Sequence, residues 1–143
     1  PYESLSGFPD WQFITFDSQS PELPNLINVR KESEKKDLNL QNIRPVDLMP
    51  ICGRIVSKPG YSTFAEALRL ETPIVSLVRV GFAYSKLLFE GIQDYSYLQV
   101  LSPTEFFHGD WEFLKQPLKA PRKSEKLDKS GSEAIAKAVV EYL

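Results

Sequence analysis

The run Ile55-Val56-Ser57-Lys58-Pro59-Gly60-Tyr61-Ser62-Thr63-Phe64-Ala65-Glu66-Ala67-Leu68 decides the fold class. It reads as a short strand, a Pro-Gly turn, and a helix that opens on Ser62 and Thr63. Pro59-Gly60 breaks the extended run, because Pro has no N–H to give and Gly tolerates positive φ. Ser or Thr before a helical pattern is a preferred cap, and Glu66 follows Ser62 by four residues. A helix start at the carboxyl end of a strand presents free N–H groups and a positive dipole end, which together attract anions. Glu66 lies one turn inside, on the face shared with Ser62 and Thr63. Donors for phosphate with a carboxylate one turn away for hydroxyls are what a nucleotide-sugar site needs.

The same pattern has a plainer reading. Many helices start on Ser or Thr and carry an early Glu for capping and dipole reasons alone. The surroundings bear on the choice: Asp47-Leu48-Met49-Pro50 stands upstream, and Leu70-Glu71-Thr72-Pro73-Ile74-Val75 downstream.

With Asp47, Gly60, Thr63, Glu66 and Pro73 at these spacings, the chain resembles the donor-binding half of GT-B glycosyltransferases. It is most similar to the lipid-linked N-acetylglucosaminyltransferase family of peptidoglycan synthesis, and also to the glycosyltransferase-like part of arabinokinase-type proteins. The likeness covers roughly residues 9–101 and, weakly, the last helix. It implies that Glu66 accepts hydrogen bonds from ribose hydroxyls and that Gly60, Ser62 and Thr63 lie against a diphosphate. In those families the loop after the next strand touches the donor sugar through an acidic or amide residue; Ala83, Tyr84 and Ser85 hold those places here.

Composition fits one small α/β domain. The chain has 143 residues, 42% hydrophobic and 25% charged, within ordinary globular values. A net charge of −2 gives no electrostatic support for nucleic acid or an anionic membrane as partner. No run of eighteen apolar residues suggests a membrane span. Cys52 is single, which excludes an internal disulfide, and with His108 the lone histidine a Cys/His metal site is not expected. A reducing cytoplasm is the default compartment, and no cofactor is implied.

Apolar runs alternate with helical patterns along the chain, the signature of a mainly parallel sheet. Strands are expected over 11–16, 26–29, 55–58, 73–79 and 97–101, and helices over 46–51, 63–70, 84–92, 103–114 and 133–143. Residues 31–36 mix both charge signs and read as a solvated loop. Residues 116–130 are rich in Lys, Pro and Ser and read as a mobile linker. The domain is thus expected over 1–115, a linker over 116–130, and a terminal helix over 131–143 that packs back on the domain. A doubly wound domain normally places a strand and helix before 11–16, so the chain reads as a fragment lacking its first strand and an N-terminal acceptor domain.

The segment after Val78 is the second candidate, because ligands in open α/β sheets bind outside the carboxyl strand ends. Arg79 could pair with a phosphate or make an ordinary surface ion pair. Phe82 and Tyr84 would complete that wall, Tyr84 stacking on a sugar or base or else packing in the core. His108 lies among Phe106, Phe107 and Trp111 and reads as structural. Asp47 reads as a cap, with no second carboxylate spaced for a metal.

The expectation is therefore a Rossmann-like doubly wound α/β domain with a mainly parallel sheet and helices on both faces. It would be the donor-binding half of a GT-B glycosyltransferase, inactive alone, taking a nucleotide diphosphate sugar. The alternatives are a glycosyltransferase-like module that holds a nucleotide sugar without transfer, a sugar-nucleotide epimerase of this fold, and a structural domain without ligand.

Overall fold

The structure is a computed structural model that describes residues 2–36, 42–78, 81 and 83–142. Among the described residues five short strands, all paired in parallel, form two small sheets. The first sheet joins β1 (Phe13–Thr15) to β2 (Leu26–Asn28), with Phe13 beside Leu26. The second has the order β3 (Ile55–Ser57), β4 (Ile74–Leu77), β5 (Leu98–Leu101), with Ile74 in register between Ile55 and Leu98. Helix α3 (Tyr61–Arg69) carries the chain from β3 to β4, and α4 (Ala83–Tyr95) carries it from β4 to β5. Parallel neighbours require such crossovers, which explains the alternating pattern in the sequence. The fold is α/β, as expected, with the strands divided between two sheets.

The core is organised by β4, whose successive side chains point to opposite faces. Ile74, fully buried, packs among Met49, Phe64, Ala67, Ile92 and Leu98, the layer supplied by α3 and α4. Val75, also fully buried, faces Phe8, Leu101, Phe113 and Leu114. That second layer is rimmed by aromatics: Trp11 stacks on Phe13 at 6.2 Å, and Trp111 meets Phe13 edge-on at 6.5 Å. Nearly continuous apolar runs, as in β3 and β4, suit burial on both faces. That holds for β4, whereas β3 is an outer strand with Val56 36% exposed.

Two other expectations give way. Residues 31–35 belong to helix α1 (Val29–Lys35), with Lys36 as its C-cap, rather than to a loop. Asn28 Oδ1 caps it, accepting from the amides of Arg30 and Lys31 at 3.1 Å each, and Glu32 pairs with Lys36 at 2.9 Å. Val29 and Ser33, one turn apart, give this charged helix its buried edge. The helix expected over 103–114 stops at His108. This segment, α5 (Pro103–His108), starts on Ser102, whose Oγ accepts from the Glu105 amide at 3.2 Å. At Gly109 a Cβ would run into the Glu105 carbonyl. Trp111 then turns left-handed, φ 64°, and donates through Nε1 to the Phe106 carbonyl at 2.9 Å. This strain, costing on the order of 1 kcal/mol, places the indole in the aromatic layer.

The short helix around 46–51 is present as α2 (Pro45–Leu48) followed by a 3-10 turn, Met49–Ile51. Residues 116–130 contain no helix, but Lys119 exchanges two backbone bonds of 3.0 Å with Leu98, closing the outer edge of β5. Helix α6 (Gly131–Glu141) is exposed along its length, with none of its residues buried. Among the described residues no helix is long and apolar enough to cross a membrane.

Two outcomes follow from this packing. Ile74→Ala should lower the free energy of urea unfolding by about 2–5 kcal/mol, since the site is enclosed by packed side chains that cannot collapse freely. Acid should act through the capping carboxylates. Hydrogen bonds from the Ser102 backbone and hydroxyl hold Glu105 below its ordinary 4.5, and those from the Arg44 amide and side chain hold Asp47 below 3.8. The native state then binds protons more weakly than the unfolded chain. This stability is complete above about pH 5 and is lost as pH falls through the depressed values. Thermal midpoints should be level from neutrality to about pH 5 and fall below pH 4.

Candidate functional site

Strand β3 ends at Ser57, and the chain reaches α3 through exposed Lys58, buried Pro59 and Gly60. The helix opens two residues earlier than expected. Gly60 is its N-cap, with φ −154° and ψ 133°, and Tyr61 its first residue. Gly60 is thus in ordinary extended backbone, not the positive-φ turn that the Pro-Gly pair suggested. Ser62 and Thr63 stand second and third in the helix, and neither caps it; no side chain does. The first intrahelical bond runs from the Phe64 amide to the Gly60 carbonyl at 3.0 Å. Among the described residues, no group accepts from the amides of Tyr61, Ser62 and Thr63.

That open helix mouth is what the sequence expectation required, although Gly60 rather than Ser62 provides it. Phe64 and Ala67 turn inward and are buried, which fixes the rotation of α3. Ser62 is left exposed, with Thr63 and Glu66 half-buried on the neighbouring face. Ser62 and Glu66 are separated by about 6 Å along the axis at the standard rise.

An electrostatic influence not visible in the sequence links α2 to α3. Arg44, ahead of α2, has its pKa raised first by a hydrogen bond to Asp47 and by that carboxylate's charge, and to a smaller extent by the charge of Glu66. Asp47 accepts from the Arg44 amide at 2.8 Å and from its Nη2 at 3.3 Å, so it is a cap, as expected. The guanidinium is exposed and brings a permanent cation to the neighbourhood of Glu66. No spacing in the sequence signals this, because the proximity depends on α2 packing against α3.

The carboxyl edge of the sheet also carries hydroxyls. Ser76 Oγ donates to the Ser57 carbonyl at 2.9 Å, tying β4 to β3 at their ends. The Oγ atoms of Ser57 and of Ser85, in the first turn of α4, are buried without a hydrogen-bond partner. Buried hydroxyls without partners are uncommon, and both occur where a strand gives way to a helix. Arg79 and Phe82 lie outside the described residues. Tyr84 belongs to α4, but its side chain lies outside them too, so the expected second wall has no structural account.

His108 is exposed in the last turn of α5. Cys52 is half-buried, and burial pushes its thiol pKa up, away from reactivity. Among the described residues no group of three or more His, Cys, Asp or Glu is placed to hold a metal. A shallow concavity of about 370 Å³ lies elsewhere, beside Asp10, Trp11 and Asn25 ahead of β1 and β2.

No family model, curated protein or solved structure matches the chain. The site therefore has to be read from its own geometry.

The extended φ of Gly60 gives a direct prediction. A Cβ there would meet only Thr63 Oγ1, at an ordinary 3.9 Å. Ala caps a helix less well than Gly, but it restricts the unfolded chain by about 0.4–1 kcal/mol, so the two effects oppose. Gly60→Ala should leave urea-unfolding stability within about 1 kcal/mol of wild type.

Proposed function

We propose that this chain is the nucleotide-binding α/β unit of a GT-B type glycosyltransferase, a Rossmann-like domain that takes a nucleotide diphosphate sugar at the start of α3. The observation that carries the reading is the uncapped mouth of α3 directly after β3, with Glu66 on the adjoining face. Free amides at a helix start and the positive end of its dipole suit a diphosphate, which gains charge-assisted hydrogen bonds there. Gly60, Ser62 and Thr63 would line the diphosphate, and Glu66 would accept from two vicinal ribose hydroxyls.

The arrangement suits a leaving group. When the glycosidic bond to the diphosphate breaks, negative charge grows on the departing oxygen, and fixed amide dipoles stabilise it without reorganising. Arg44 adds a cation near the same helix and would favour an anionic ligand over a neutral sugar. The catalytic base and the acceptor site are assigned to no residue of this chain. Binding, rather than transfer, is the activity proposed for it.

Calorimetric titration of UDP, GDP and ADP into the protein tests the reading. At least one should bind, and Glu66→Gln should weaken it by about 1–2 kcal/mol, roughly a tenfold change in Kd. Gly60→Ala, which keeps the fold by the argument above, should also weaken binding by crowding the diphosphate. Absence of binding by all three nucleotides, or full affinity in Glu66→Gln, would leave Glu66 as a helix-dipole residue only.

A further inference from the structure

The opposite ends of α3 and α4 carry a second feature, independent of nucleotide binding. Residues 119–129 hold five cations, Lys119, Arg122, Lys123, Lys126 and Lys129, against only Glu125 and Asp128. At the end of α4, Asp94 pairs with Arg122 at 2.8 Å and with Lys123 at 3.0 Å. The Arg122 guanidinium also donates to the Glu90 carbonyl at 2.7 Å. The amides of Arg122 and Lys123 donate to the carbonyls of Gln93 at 2.9 Å and Asp94 at 3.0 Å. These carbonyls belong to a helix end, where unsatisfied oxygens and the negative dipole attract cations. Just past the end of α3, Glu71 pairs with Lys126 at 3.2 Å and Lys129 at 3.4 Å, while Arg69 donates to the Lys129 carbonyl at 2.6 Å.

These contacts bury no apolar side chain of the segment; the aromatic contact present is that of Lys123 Nζ, 5.2 Å from the centre of the Tyr95 ring. Every residue from 122 to 130 is exposed, and so is every residue of α6. The segment is held chiefly by charge and by polar bonds at helix ends. We propose that residues 122–130 form an ionic strap that ties α6 to the ends of α3 and α4 and releases it as a unit when ionic strength rises. A single exposed ion pair stabilises little, but here two clusters in series share one short stretch of chain. Release at either cluster frees the chain on which the other depends. The screening length falls from about 10 Å at 0.1 M salt to about 3 Å at 1 M, comparable with the pair distances themselves.

Amide hydrogen exchange followed by NMR on the whole chain tests this. The Arg122 and Lys123 amides should exchange about tenfold faster at roughly 1 M than at roughly 0.05 M NaCl. The Lys119 amide, bonded to Leu98 rather than to the strap's acids, should be unaffected. Glu71→Gln at low salt should also speed exchange at Arg122 and Lys123, although it removes a contact made by other residues. Lys126→Gln with Lys129→Gln should do the same from the strap side. The proposal is overturned if the two amides ignore salt, if both sets of variants leave them as in wild type, or if amides throughout the sheet accelerate with them.

Discussion

The arrangement depends on β4 being buried on both faces. Ile74 and Val75 are adjacent in sequence, point in opposite directions, and are each completely enclosed. One holds the α3 and α4 layer, the other the aromatic layer of Phe8, Phe113 and Trp111. A strand with both faces covered has only one acceptable register, since a shift of one residue would exchange the two layers. Fixing β4 fixes the ends of β3 and α4 beside it, and so the height at which α3 begins. The candidate site thus inherits its geometry from two residues that no ligand would touch.

Polar contacts refine what burial sets. The Ser76 hydroxyl reaches the Ser57 carbonyl at the point where β3 leaves the sheet, and Thr72 donates to the Met49 carbonyl at 3.2 Å below it. Both are bonds between a buried side chain and the backbone of a neighbouring segment, which is where a hydrogen bond most constrains position. Phe64 and Ala67 then set the rotation of α3, which leaves Glu66 half-buried, its charge felt by Arg44, rather than in the core.

The readable parts of the sequence were those in which local pattern and tertiary role agree. The β-branched pairs Ile55-Val56 and Ile74-Val75 announce strands that do pair in parallel, and the Pro59-Gly60 break falls just before α3. Residues 31–36 misled because their charges conceal a helix whose evidence is one asparagine cap and two buried side chains a turn apart. The break after His108 was hidden because helical spacing continues through Trp111, while the aromatic layer demands a left-handed turn there. At the site, composition and spacing indicated the helix mouth but displaced its first residue by two. They could not indicate Arg44 or the unpartnered hydroxyls of Ser57 and Ser85, since those depend on how separate segments meet.

The two margins of the larger sheet differ in how they meet their surroundings. Lys119 covers the outer side of β5, whereas no described residue pairs with the outer side of β3. An uncovered strand is a template on which other chains can add, and proteins guard such margins by brevity and by charge. Here β3 is three residues long and is bracketed by Arg54 and Lys58. A stranger's chain would gain few backbone bonds there and would meet the exposed Lys58, while Arg54 is turned toward the Trp11 ring and the Leu114 carbonyl. The margin nearest the candidate site is consequently protected against self-association without being closed, which leaves the approach to the end of β3 unobstructed by a covering strand.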